Sequence, residues 1–344
     1  MGGNKILVTG ATGLVGGNLT RLLVREKGER VRVLVRGASN TLALDDLPVE
    51  RVPGDVTDPS SLKSAMEGCN RVYHAAALVS NWNGYLQAMK KINVEGTVNV
   101  MQAAMDSGIE RVVHVSTNGA IGMRSKEDPA DETEPYNYEQ YRNAYSLTKH
   151  EAHRKALSFA EKGLDVVIGC PTYMFGAWDV RPTSGTMVLE CKAGKTLFAP
   201  PGGNNIVDVL DVCHGLIQAC EKGRTGEAYL LCNKDGNLTY NEIFTLIADV
   251  TGSRRPLMTA PRFAVMATGY AMDVYGKMTG LAPEINSAAT FVSCQPQYFT
   301  PQKAIKELGL PQSPVKEAIR RAYEWFLEHG YLEGKSFGFA KQKR

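Results

Sequence analysis

Short apolar runs alternate along the first half of the chain with longer stretches whose apolar residues recur every three or four positions. The runs fall at 5–9, 30–35, 49–52, 71–75 and 111–116, and the helical patterns at 14–27, 60–68, 85–107 and 145–162. Strand and helix in that order predict an α/β fold, a doubly wound parallel sheet covered on both faces. One more strand is expected at 164–169. Beyond Pro171 the rhythm breaks into Gly/Pro-rich turns, with a strand near 196–198, a helix near 209–222, a strand near 227–232 and helices near 239–251 and 313–328. The expected division is a sheet domain over 1–170, to which later segments return, a smaller C-terminal lobe over 171–330 and a loose basic tail over 331–344. A ligand site would form between the carboxyl edge of the sheet and this lobe.

The first strand pattern, KILVTG, runs straight into TGATGLVGGNLTRLL, with Gly10, Gly13 and Gly16 three apart. Gly10 can take the tight turn, Gly13 lets backbone approach a pyrophosphate, and Gly16 lets helix and strand pack closely. The helix N-terminus then offers amide donors to phosphates. This is the start of a Rossmann dinucleotide-binding unit, and Thr12, Leu14 and Val15 within the turn join the glycines as cofactor-binding candidates.

Tyr145 and Lys149 stand four apart, so a helix places a phenol and an ammonium on one face. An ammonium near a phenol favours phenolate and lowers its pKa, which suits proton exchange with a substrate hydroxyl. Developing charge on a carbonyl oxygen needs a second donor, and the hydroxyls of Ser116 and Thr117 end the fifth strand. The bland alternative is that both hydroxyls satisfy local backbone groups.

Composition narrows the partners. The chain has 344 residues, 43% hydrophobic, with a formal charge of +3. That suits a sizeable core, and no basic run or aromatic-basic stripe suggests nucleic acid. Seven cysteines lack metal-ligand spacing and read as reduced core thiols, and no metal is expected. With no leader pattern or membrane-length apolar window, the expected location is the cytoplasm, without stable membrane insertion.

In order and spacing, TGATGLVG, GDVTD, HAAA, INVEGT, HVST and the Tyr145/Lys149 pair resemble the extended short-chain dehydrogenase/reductases of the NAD-dependent epimerase/dehydratase superfamily, nearest the dihydroflavonol-4-reductase-like branch. The resemblance spans roughly residues 4 to 330. It implies that Tyr145 is the acid/base and that Thr117, or Ser116 beside it, is the partner hydroxyl. Lys149 would hold the nicotinamide ribose and tune Tyr145. Asp55 and Val56 would border the adenine, and Ala75, Ala76 and Ala77 would line the cleft, with Pro171 and Asn93 also near the cofactor. Asn93 could instead bond to neighbouring backbone. The family pairs helices equivalent to 93–107 and 145–162 across a two-fold axis, so a homodimer is expected.

Arg36 follows the second strand where a carboxylate would hold a ribose diol, which favours NADP over NAD. Val79, Trp82, Asn118, Tyr173, Phe175 and Trp178 should wall the substrate side, an apolar and aromatic surface with few polar handles. Asn204 and Asn205 occupy a stretch where nucleotide-sugar enzymes of this family often present an arginine. The expected reaction is therefore reduction of a carbonyl on a small apolar or aromatic ketone or aldehyde. The alternatives are a sugar or nucleotide-sugar epimerase, a 3β-hydroxysteroid-type dehydrogenase, and a protein that binds dinucleotide without catalysis. The Met-rich segment 262–280 is read as a lid, with core packing and transient membrane contact as other readings; Asp273 and Lys277 count against the last.

Overall fold

The computed structural model describes residues 5–138, 143–281, 283 and 285–332. Most of the expected tail, 333–344, lies outside them. In chain order the first half forms β1 (Lys5–Thr9), α1 (Leu14–Arg25), β2 (Arg30–Val35), β3 (Glu50–Pro53), α2 (Pro59–Met66), β4 (Arg71–His74), α3 (Leu86–Met89), α4 (Gly96–Asp106), β5 (Arg111–Val115), α5 (Ala144–Ala160) and β6 (Val166–Pro171). The second half adds β7 (Tyr173–Phe175), α6 (Thr186–Lys192), β8 (Phe198–Ala199), β9 (Gly203–Asp208), α7 (Val209–Lys222), β10 (Ala228–Leu231), β11 (Asn237–Thr239) and α8 (Tyr240–Thr251). It closes with β12 (Met258–Thr259), α9 (Arg262–Thr279), α10 (Ser287–Ser293), β13 (Pro296–Gln297), α11 (Gln302–Leu308) and α12 (Val315–Glu328).

Seven parallel strands form the main sheet in the order β10-β6-β5-β4-β1-β2-β3. Its central strands are buried on both faces, and all of β6 is buried, which is why they read as unbroken apolar runs. Side chains of α1, α7 and α11 pack one face, and those of α2, α4 and α5 pack the other. After β3 the chain crosses back to place β4 on the other side of β1, and this reversal opens a crevice at the strands' carboxyl ends. A third core joins α6, α8 and α12 in the smaller lobe.

Two departures from expectation matter for the site. The single helix expected over 85–107 is interrupted: Lys90–Glu95 makes a π turn between α3 and α4. A four-stranded sheet, β11-β9-β13 with β7 on β9, was also not visible in the pattern. The sequence of β9, GNNIVD, carries two asparagines, yet every residue is buried. Burial is tolerable because Asn205 donates to the Asn233 carbonyl and the Asn237 Oδ1, both at 2.8 Å, and accepts from the Thr172 hydroxyl at 3.0 Å.

Candidate active site

At the end of β1 the backbone of Gly10 takes φ +72° and presses on the chain leaving β4; a Cβ there would lie 2.5 Å from the Ala76 nitrogen. A Cβ on Gly16 would lie 2.3 Å from the Gly10 carbonyl oxygen. Neither position admits a side chain without moving backbone. Gly13 differs: the nearest atom to a Cβ there is 3.5 Å away, and the residue is exposed. It begins α1 with no side-chain cap, so the first-turn amides, including those of buried Leu14 and Gly16 and half-buried Val15, are not capped by a side chain. Thr12 is half-buried beside them. An uncapped helix terminus behind a glycine edge fits a pyrophosphate.

A directed chain of hydrogen bonds stiffens the same edge. The Ala76 amide donates to the Thr9 hydroxyl at 3.3 Å, Thr9 Oγ1 lies 2.8 Å from His74 Nδ1, and His74 Nε2 lies 3.1 Å from Thr97 Oγ1, which donates to the Asn93 carbonyl at 2.6 Å. Because the Thr97 proton is used on Asn93, His74 must carry its proton on Nε2 and accept from Thr9 at Nδ1. Burial, with the Lys149 charge, drops the His74 pKa to about 3, so the ring is neutral.

Asn93 sits in the π turn, which swings its amide out of helical register. Its Oδ1 accepts from the Leu78 amide at 2.7 Å, and its Nδ2 donates to the Leu78 carbonyl at 3.1 Å and to Thr148 Oγ1 at 3.2 Å. Asn93 thus pins the strip that continues from Ala75, Ala76 and Ala77 to α5.

The N-terminus of α5 is fixed by residues that the sequence reading passed over. Asn143 caps it by accepting from the Ser146 amide at 2.9 Å, and Asn83 accepts from the Ala144 amide at 3.0 Å. An Asn directly before a helical stretch is a capping signal that could have been read. Tyr145 follows, half-buried. Burial, partly offset by a hydrogen bond with the Thr117 side chain, raises its phenol to about 12. Lys149, one turn on, donates to the Val115 carbonyl at 2.8 Å, and burial lowers its pKa to about 8. The phenol therefore stands above its ordinary value, not below it as the four-residue spacing suggested, because burial outweighs the Thr117 hydrogen bond; the ammonium is engaged with the last carbonyl of β5.

Thr117 and Ser116 part company. In extended chain, neighbours point to opposite sides. Thr117 turns toward Tyr145, donates to Asn118 Oδ1 at 3.1 Å and accepts from the Gly119 amide at 3.3 Å. Ser116 instead lies 3.0 Å from His153 Nδ1 in the interior. Of the two, Thr117 is the hydroxyl brought to the phenol.

Other candidates scatter. Asp55 ties its carboxylate to the Thr57 amide and hydroxyl, both at 2.9 Å, and Val56 is buried against Gly96. Pro171 is buried where β6 meets β10. Val79 is exposed, Trp82 is half-buried with its indole reaching toward Gly276 of α9, and Tyr173 is half-buried. Two wall residues require correction. Phe175 is wholly buried in the lobe core among Val188, Ile206 and Phe326. Trp178, at φ +67°, lies beneath the Arg21 guanidinium at 3.7 Å and beside Trp325, so it packs between α1 and α12. Phe175 is thus closed off, while the half-buried Trp178 faces the α1–α12 junction. Among the described residues no group of three His, Cys, Asp or Glu side chains could hold a metal, and no helix is long and apolar enough to cross a membrane.

Sheet and glycine turn define a protein of the Rossmann dinucleotide-binding type. The pattern of the NAD dependent epimerase/dehydratase family matches residues 6–232, and the chain belongs to that family of NAD(P)-binding enzymes. It is 35% identical to a dihydroflavonol 4-reductase-like protein of Synechocystis sp. over 95% of both chains. It is 33% identical to sterol demethylase protein B of Methylococcus capsulatus over 95% of this chain and 99% of that one. A 3β-hydroxysteroid dehydrogenase/Δ5→4-isomerase of Mycobacterium tuberculosis is 32% identical over 94% of this chain and 90% of its own. Among solved structures, gox2253 superposes with a TM-score of 0.83 at 34% identity, covering 95% of this chain and 99% of that one.

The expectation of NADP is corrected by solved neighbours that hold NAD. These include the Bordetella bronchiseptica enzyme WbmH, 20% identical with a TM-score of 0.75 over 95% of this chain and 99% of that one. Another is the Thermus thermophilus UDP-glucose 4-epimerase, 20% identical with a TM-score of 0.74 over 94% and 99%. In this chain Arg36 is exposed just after β2, and among the described residues no hydrogen bond or ion pair of its side chain holds the guanidinium in place for a phosphate.

Proposed function

We propose that this chain is an NAD-dependent dehydrogenase that interconverts a secondary hydroxyl and a ketone on a bulky apolar ring compound of the 3β-hydroxysteroid kind. The observation that carries this is the half-buried Tyr145 phenol hydrogen-bonded with Thr117 at the carboxyl edge of the sheet. The names of the Methylococcus and Mycobacterium relatives support the substrate class. NAD, held at the Gly10–Gly16 turn and the α1 terminus, supplies the hydride acceptor when bound. Tyr145 exchanges its hydroxyl proton with the substrate oxygen, and Thr117 orients that oxygen with a second hydrogen bond. Lys149, mostly cationic at neutral pH, would hold the nicotinamide ribose while it donates to the Val115 carbonyl. Reduction of a small aromatic ketone would use the same residues in reverse.

The test adds NAD and a 3β-hydroxysteroid to purified protein and follows NADH, with UDP-sugars as a parallel panel. The expected result is NADH formation with the steroid, reduced about 10²–10⁴-fold in Tyr145→Phe while NAD binding persists. Firmly retained NAD with interconversion of a UDP-sugar would move the reading to an epimerase, and full activity in Tyr145→Phe would overturn the mechanism.

A further inference from the structure

The helix α9 has two faces that answer to different surroundings. Its inner face is closed by glycines two turns apart. A Cβ on Gly269 would lie 2.1 Å from the Thr290 hydroxyl of α10, and one on Gly276 would lie 2.9 Å from Pro283 and 3.1 Å from the Trp82 indole. Those contacts set the helix tightly on α10 and on the substrate-side loop. The outer face carries Phe263, Ala267, Tyr270, Val274 and Met278, spaced four, three, four and four apart, which makes a single stripe on a helix. Phe263 is 77% exposed and Met278 82%.

Along the sequence this stripe falls within a wider concentration. Of fifteen large hydrophobic side chains exposed among the described residues, eleven lie in 197–198 and 257–285. Leu257 and Met258 precede α9, Phe198 pairs with Met258 across β8 and β12, and Leu281 and Ile285 follow the helix. An apolar concentration on this scale marks a contact with something outside the chain. The substrate cleft is not that contact, because the face that meets Trp82 is the opposite one.

Charge selects the partner. Residues 253–281 hold Arg254, Arg255, Arg262 and Lys277 against one carboxylate, Asp273. Arg255 pairs with Asp249 at 2.8 Å and Arg262 lies over the Phe291 ring, so among the described residues Arg254 and Lys277 are the exposed cations left to meet a partner. Asp273 is drawn inward, accepting from the Ser287 amide at 3.2 Å. Lys277 stays exposed beside the stripe. Apolar residues with a lysine along the flank, tyrosines at 270 and 275 and, among the described residues of α9, no outward carboxylate make the pattern of a helix that lies in the plane of a bilayer surface. With 18 residues α9 is about 27 Å long. Its composition is too polar to span, yet its outer row is continuous enough to lie flat.

We propose that the outer face of α9 seats this protein on an anionic lipid surface. The inference stands apart from the substrate proposed above, although it would set the cleft beside the phase in which an apolar compound dissolves. Cosedimentation with vesicles of phosphatidylcholine containing phosphatidylglycerol tests it without any turnover. The expected result is salt-sensitive binding that is stronger than to phosphatidylcholine alone. Phe263→Ser and Met278→Ser should each weaken it by about tenfold, the scale set by burying one large apolar side chain. Lys277→Glu leaves the apolar row intact and should weaken binding to the anionic vesicles alone, so it covers the case in which a serine variant fails to fold. Absence of vesicle binding overturns the proposal, as does a stable dimer in light scattering that the serine variants dissociate, since a second copy would then cover the stripe. Equal binding to both vesicle types overturns the assignment of an anionic surface.

Discussion

At the strand edge, Thr9, His74, Thr97 and Asn93 pass hydrogen bonds from one to the next inside a packed core, and two glycines lock backbone against backbone. Across the cleft, α9 rests on two glycines of its own but turns its large side chains outward. Both flanks use glycine to bring elements close. On the first flank the closeness fixes a binding geometry that leaves little room for another residue. On the second it fixes only where the helix lies, and the outer side chains are bound by no internal partner. The contrast teaches that chemistry common to a family sits where backbone atoms leave no slack, while adaptation to a particular substrate or surface falls to residues that nothing inside the molecule constrains.

The largest effect should come from the constrained flank. Gly16→Ala forces a Cβ onto the Gly10 carbonyl, with an expected loss of NAD binding and a destabilisation of about 2–4 kcal/mol in urea unfolding. Ala271→Ser, on the exposed side of α9, should change stability by no more than about 0.5 kcal/mol. Equal losses from both would erase the distinction.

The neighbouring hydroxyls sharpen it further. Thr117→Val should lower kcat by about 10²-fold, the scale for one donor at a reacting oxygen. Ser116→Ala, which faces His153, should leave kcat nearly unchanged and lower only thermal stability. The opposite ranking would exchange their roles.

A smaller effect concerns the histidines beneath the site. Burial holds His74 at about 3 and His153 at about 4, and drives His114 well down. All three are neutral in the native state and take up protons near 6.5 once unfolded. The unfolded chain therefore binds more protons below about 6.5, and stability falls as pH falls from there toward about 3. Among the described residues neither ring nitrogen of His114 has a hydrogen-bond partner. His114→Phe should then be neutral or stabilising by about 1–2 kcal/mol near neutral pH and should flatten the acid limb in urea titrations. A marked loss at neutral pH would mean that the ring is satisfied after all.

How much of this was legible in the sequence follows from the same physics. Strands buried on both faces read as apolar runs, so the order β1 to β6 and the glycine turn could be seen directly. The strand β9 could not, because Asn204 and Asn205 enter the core through mutual hydrogen bonds that hydropathy does not register. The π turn at Asn93 has no periodicity of its own within a longer helical pattern. Trp178 and Phe175 looked like cleft residues because they follow β6 closely, but Phe175 ends β7 inside the lobe core and Trp178, in left-handed backbone at φ +67°, is turned onto Arg21 and Trp325 instead. The spacing of Tyr145 and Lys149 was read correctly as a shared helical segment, whereas the direction in which the lysine reaches depends on the carbonyl of Val115, seen only once the sheet is assembled.

All seven cysteines are buried and unpaired, and they are spread over the whole assembly: Cys69 beside α2, Cys170 in β6, Cys213 and Cys220 in α7, Cys191 in α6, Cys232 after β10 and Cys294 after α10. Burial raises each thiol, so reaction with a thiol reagent has to wait for local opening. The chain thereby carries a built-in set of clocks, one in nearly every layer. The order in which its cysteines become labelled would chart which layer breathes first.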